Sequence, residues 1–103
     1  LNFVRRSERI SRSLDELSQL ADVPAPPSIY IQSVPVEDHL PSFAQANALQ
    51  LPPAGTAPRI WIGNRLSVQT HFDLSENIAV VVAGHRRFTL IPPQQLPNLY
   101  VGP

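Results

Sequence analysis

Twelve of the 103 residues are proline, and they fall mainly in two regions, Pro24 to Pro58 and Pro92 to Pro103. Proline locks φ and has no N–H to give, so it interrupts both helices and strand ladders. These regions are therefore expected to be loops between short elements. Length alone predicts one small domain.

The stretch before Pro24 reads as a helix over residues 7–21. Ile10, Leu14, Leu17 and Ala21 recur at i, i+4, i+7 and i+11 and form one apolar stripe. Ser13-Leu14-Asp15-Glu16 matches a capping box, which would start the regular helix only at Leu14. Pro24-Ala25-Pro26-Pro27 ends it. Residues 28–34 (SIYIQSV) alternate as a strand does, with Ile29 and Ile31 on one face and Tyr30 and Gln32 on the other. From Pro35 to Pro58 the chain is irregular, with room for a helical turn or two between Pro41 and Leu49.

The second half reads as β. Arg59 to Gly63 (RIWIG) is a strand closed by the turn pair Gly63-Asn64, and Ser67 to Asp73 is a second. Asn77 to Ala83 and Arg86 to Ile91 flank Gly84-His85, the signature of a two-residue type II′ hairpin. That register pairs Ala83 with Arg86, Val81 with Phe88 and Ala79 with Leu90. Parity then puts Asn77, Arg86 and Phe88 on one face and Arg87 on the other.

Composition removes several function classes. Eight basic and eight acidic residues give a formal net charge of zero, which argues against a nucleic acid or a membrane surface as the main partner. No cysteine is present, so there is no disulfide scaffold, zinc knuckle or thiol nucleophile, in keeping with a cytoplasmic location. No apolar run approaches the ~18–20 residues that span a bilayer. No serine sits in a glycine-flanked nucleophile elbow, and four glycines do not make a phosphate loop. Absence of Met and the apolar run before Pro103 read as an N-terminal fragment of a longer protein.

His71-Phe72-Asp73 is the triplet with chemical promise. On a strand, i and i+2 share a face, so an imidazole and a carboxylate aim at one point. Two such groups are two thirds of the 2-His-1-carboxylate triad that holds non-haem Fe(II) and leaves positions open. The same triplet also suits an ordinary histidine beside a carboxylate. His39, in a proline-bounded loop, and His85, in the hairpin turn, read as surface histidines. Arg86-Arg87 beside a turn reads equally as a solvated pair, and Asn77 as a residue opening a strand.

The order Trp61-Ile62-Gly63, His71-Phe72-Asp73, Asn77, Gly84-His85-Arg86-Arg87-Phe88-Thr89-Leu90-Ile91-Pro92-Pro93 and Leu99-Tyr100 resembles the JmjC-like branch of the cupin superfamily. These are Fe(II)/2-oxoglutarate oxygenases similar to the asparaginyl hydroxylase acting on hypoxia-inducible factor. The resemblance covers residues 59–103; residues 1–58 are loosely similar to the N-terminal flank of bacterial cupin-like members. It implies a mainly β fold, a partial double-stranded β-helix (cupin or jelly-roll) with an N-terminal α-helix. Residues 1–58 would be helix, strand and proline-rich connection, and 59–103 the first half of the barrel.

The same resemblance implies metal ligands at His71 and Asp73, with Fe(II) as the metal and the third ligand downstream of residue 103. Arg86 would pair with the distal carboxylate of the cosubstrate 2-oxoglutarate, as a bidentate fork where the hydroxylase has lysine. Asn77 would lie near the metal-proximal end of the cosubstrate. The family it resembles often has Thr three residues before the first ligand; here that residue is Val68, with Thr70, Ser67 or Gln69 to compensate. Trp61 and Phe88 would pack the barrel. The implied activity is a dioxygenase acting on a protein side chain or a small metabolite, and the alternative is a non-catalytic cupin-like binding module. Half a barrel exposes edge strands and apolar surface, so a homo-oligomer is expected.

Overall fold

The longest regular element lies before the first proline cluster, where the apolar stripe predicts it. The computed structural model describes residues 3–48, 50 and 53–100. Helix α1 spans Ile10–Gln19. Ile10, Leu14 and Leu17 are half-buried along it. It starts one turn before the expected capping box. Ser13 does not cap; its Oγ donates to Glu8 Oε1 at 2.5 Å, and its N–H points to the Arg9 carbonyl inside the first turn. Glu8 is the reason the turn forms early. It also takes Arg6 Nε at 3.1 Å and lies 3.6 Å from Arg12 Nε, an i,i+4 pair. Arg6 reaches on to Glu16, and that hydrogen bond raises its pKa above the ordinary value. Exposed ion pairs are individually weak; Ser13 is 8% exposed, so its bond to a carboxylate is the stronger contributor. The helix closes before Pro24. Leu20 N–H is shared between the Glu16 and Leu17 carbonyls, and Ala21 and Val23 follow with tighter i−3 bonds.

The sheet has two antiparallel strands, β1 at Tyr30–Pro35 and β2 at Arg59–Gly63. In register, Ile31 faces Ile62, and Val34 faces Ile60. Ile31 and Val34 are three residues apart, so a regular strand would turn them to opposite faces. Ile60 and Ile62 share a face. A bulge reconciles the two: Gln32 and Ser33 together oppose Trp61, with Ser33 in the left-handed region at φ 56°. Arg59 holds the bulge, donating from Nε to Ser33 Oγ at 2.7 Å and from Nη2 to the Ser33 carbonyl at 2.5 Å. The extra residue thus keeps four aliphatic side chains half-buried on one side, while Trp61 stands 41% exposed on the other. Barrel packing by Trp61 is therefore not what this sheet shows.

Asn64 extends the pairing beyond the last ladder residue. Its Oδ1 accepts from Ile29 N–H at 3.0 Å and its Nδ2 donates to the Pro27 carbonyl at 2.8 Å. Gly63 permits that closeness: a Cβ there would sit 2.7 Å from the Ile29 oxygen and 2.9 Å from Leu66 Cδ2.

Two short helices follow β1: α2 at Val36–His39 and α3 at Pro41–Ala46. The second is the helical turn expected after Pro41; α2 was not signalled, and Leu49 lies outside the described residues. Pro41 suits the first turn because its missing N–H costs nothing there. Val36 is 4% exposed, the one buried apolar residue among those described. Its N–H donates to the Pro58 carbonyl at 3.1 Å, which continues the line of the sheet.

The chain divides into two units, Leu1–Phe72 and Asp73–Pro103. The elements above belong to the first. In the second, residues 73–92 carry no helix or strand, and a 3-10 helix covers Pro93–Leu99. The strands expected at Ser67–Asp73, Asn77–Ala83 and Arg86–Ile91 are therefore absent from the described residues, and so is the partial β-helix they were to build. Gly84 keeps the positive φ a type II′ turn needs, at 77°, yet its flanks do not pair. Their large apolar side chains are exposed, from 37% at Ile91 to 87% at Leu90. A lone hairpin is marginal in water without a buried face, and here no buried face offsets the entropy of ordering two strands.

Candidate functional site

The five residues singled out for a site are Thr70, His71, Asp73, Asn77 and Arg86, and all are exposed. The boundary between the two units falls inside the His71-Phe72-Asp73 triplet, so each side is described by itself.

On the first side, His71 Nδ1 lies 2.7 Å from the Gln69 carbonyl oxygen. A carbonyl only accepts, so Nδ1 carries the proton in this contact. In the neutral ring the lone pair is then on Nε2. This is the arrangement a metal-ligating histidine uses, with the second nitrogen bound to an outer acceptor that sets tautomer and ring orientation. Thr70 sits between the two partners, and Val68 is 49% exposed.

On the second side, Asn77 Nδ2 donates to Asp73 Oδ2 at 2.9 Å. The amide orientation is unambiguous, because an ionised carboxylate has no proton to give. Arg86 lies with its guanidinium carbon 5.1 Å from the centre of the Phe88 ring, a cation–π contact. Residues two apart in extended chain share a side even without a ladder partner, so Arg86 and Phe88 meet while Arg87 does not join them. His85 adjoins Gly84, and His39 ends α2; both are exposed.

An imidazole nitrogen and a carboxylate oxygen suit Fe(II) in kind. Among the described residues, however, no three His, Cys, Asp or Glu side chains cluster to hold a metal ion. Two interactions escaped the sequence. Asp73 and Asn77 are four apart, a spacing that signals contact only on a helix, and this segment is not one. The Gln69 contact is made by a backbone carbonyl, which has no residue signature.

A separate open groove of about 410 Å³ lies between α1 and β2, lined by Leu14, Leu17, Ser18, Ala21, Ile62, Gly63 and Asn64. It contains none of the five residues. Among the described residues no helix is long and apolar enough to cross a membrane.

Neither a curated protein nor a solved structure matches the chain. The model of one family does, over residues 1–103, and that family is described as a cupin-like domain. The match spans the whole sequence, the loosely similar first half included, and cupin-like domains are β folds. The chain belongs to the cupin-like domain family.

Proposed function

We propose that this cupin-like domain serves an Fe(II)- and 2-oxoglutarate-dependent dioxygenase of the JmjC-like type, a hydroxylase of a protein side chain or a small metabolite. The observation that carries the reading is the His71-x-Asp73 pair inside a full-length match to the cupin-like family. The described contacts are consistent with it: the Gln69 carbonyl lies against His71 Nδ1, and Asn77 Nδ2 donates to Asp73 Oδ2.

When bound, Fe(II) with 2-oxoglutarate and O₂ supplies the oxidising power for hydroxylation, with succinate and CO₂ as co-products. The chain's own residues hold and orient. His71 and Asp73 provide one neutral and one anionic donor, which lowers the charge of the centre and leaves room for a second imidazole. Arg86 offers its planar fork to the distal carboxylate of the cosubstrate. Phe88, stacked on Arg86, limits the directions the guanidinium takes. Thr70 and Asn77 serve the metal-proximal end. The complete double-stranded β-helix belongs to this proposal too, as does self-association through the apolar residues between Asn77 and Ile91.

The test is an anaerobic titration of the full-length natural protein with Fe(II) and 2-oxoglutarate, read by the visible metal-to-ligand charge-transfer band. The wild type should show the band, His71→Ala should lose it, and Arg86→Ala should need more 2-oxoglutarate to develop it. A well-folded wild type with no band would refute the oxygenase. Val68, standing where the resembled family often has threonine, would then favour a non-catalytic cupin-like binding module.

A further inference from the structure

We propose that residues 6–8 form an electrostatic strap that selects between two alternative starts of α1, so that ionic conditions set the length of the helix. As found, α1 begins at Ile10 without the usual N-terminal signals. Its N-cap is Arg9, no side chain caps it, and no acidic residue stands in its first turn. Those signals lie one turn later. With Ser13 as N-cap, Asp15 and Glu16 would fall in the first turn, where carboxylates favour the positive end of the helix dipole. Ser13 and Glu16 would also close a capping box.

Both members of that box are taken by the strap. Ser13 Oγ donates to Glu8 Oε1 at 2.5 Å, and Arg6 Nη2 donates to Glu16 Oε2. Glu8 joins the two contacts, with Arg6 Nε at 3.1 Å and Arg12 Nε at 3.6 Å. One donor makes the two starts exclude each other. In the early start the Ser13 N–H points at the Arg9 carbonyl; in a capping box the N-cap N–H goes to the side chain three residues on, here Glu16. Arg6 and Arg12 are exposed, so their ion pairs are weak and open to screening by salt. Releasing the strap frees Ser13 and Glu16 for the box. It moves the start of α1 to Leu14 and unwinds the turn that carries half-buried Ile10.

The test follows the Cα chemical shifts of α1 by NMR in the full-length natural protein. Salt is raised from a low level to about 1 M NaCl, where the screening length is about 3 Å. Residues 10–12 should lose their helical shifts and Ser13 should move to an extended, N-cap value, while residues 14–19 stay helical. Glu8→Gln at low salt should reproduce that state. Adding Ser13→Ala to Glu8→Gln should then fray the helix beyond Leu14, because the new cap is lost. Helical shifts at residues 10–12 that withstand both salt and Glu8→Gln would overturn the proposal. So would a loss spread evenly over the whole of α1, which is simple destabilisation. A Glu8→Gln helix indifferent to Ser13→Ala would overturn it too, since the first turn would then fray without re-capping.

Discussion

Residues 59–63 (RIWIG) and 77–83 (NIAVVVA) have the same strand-like composition and different fates. Each is short, β-branched and free of proline, and each adjoins a glycine turn. The first is β2, paired with β1 through Ile31–Ile62 and Val34–Ile60. The second carries no regular structure, and Ile78 and Val82 are more than 60% exposed. If intrinsic preference decided, the longer and more β-branched segment would win. What β2 has is a partner whose bulge aligns two aliphatic pairs, an arginine that clamps the bulge and an asparagine that ties off the end. Strand propensity is chiefly the ability to fit a half-buried pleated surface, and only the first segment is given one.

The sharpest way to break this contrast is amide exchange. The N–H groups of Val36 and Ile29, bonded to Pro58 O and Asn64 Oδ1, should exchange about 100-fold or more slowly than those of Ile78 to Val82, which open at almost no cost. Equal protection in both segments would mean that 77–83 finds a strand partner in solution. It would do so most simply by self-association, and the protection would then fall on dilution.

A smaller effect tests the closeness that Gly63 allows. Gly63→Ala should destabilise the first unit by about 1–3 kcal/mol in urea unfolding, because the Cβ meets a backbone oxygen that has nowhere to go. An unchanged midpoint would show that the Ile29–Asn64 tie does not hold the sheet. At the low end, Leu90→Ser, at a side chain 87% exposed, should shift stability by less than about 0.5 kcal/mol. A loss of 2 kcal/mol or more, by about the same measure used for buried side chains, would place Leu90 inside a core.

Legibility followed the range of the interactions. The apolar stripe of α1 and the strand at Arg59–Gly63 were readable because their patterns are local. The start of α1 was misread because Ser13 met Glu8, five residues upstream, instead of a backbone N–H of its own turn. The strands expected at Ser67–Asp73, Asn77–Ala83 and Arg86–Ile91 are absent from the described residues because a hairpin signal specifies a turn, and Gly84 does adopt its positive φ, without specifying a surface to bury. For the site, the His71-x-Asp73 spacing and the family pattern were legible, whereas the Asn77–Asp73 bond was not, since it joins i and i+4 outside a helix.

By itself the sequence determined the helix, the positions where proline forbids regular structure and the cupin-like family. These depend on residue type and short spacing, which a chain carries whether or not it is folded. Only tertiary structure decided which β-prone segments became strands, that Ile31 and Val34 would share a face, and which atom of His71 faces an outer acceptor. Those outcomes depend on a partner at a fixed distance, and the free energy of pairing is gained only where that partner buries apolar surface or supplies the missing hydrogen bond.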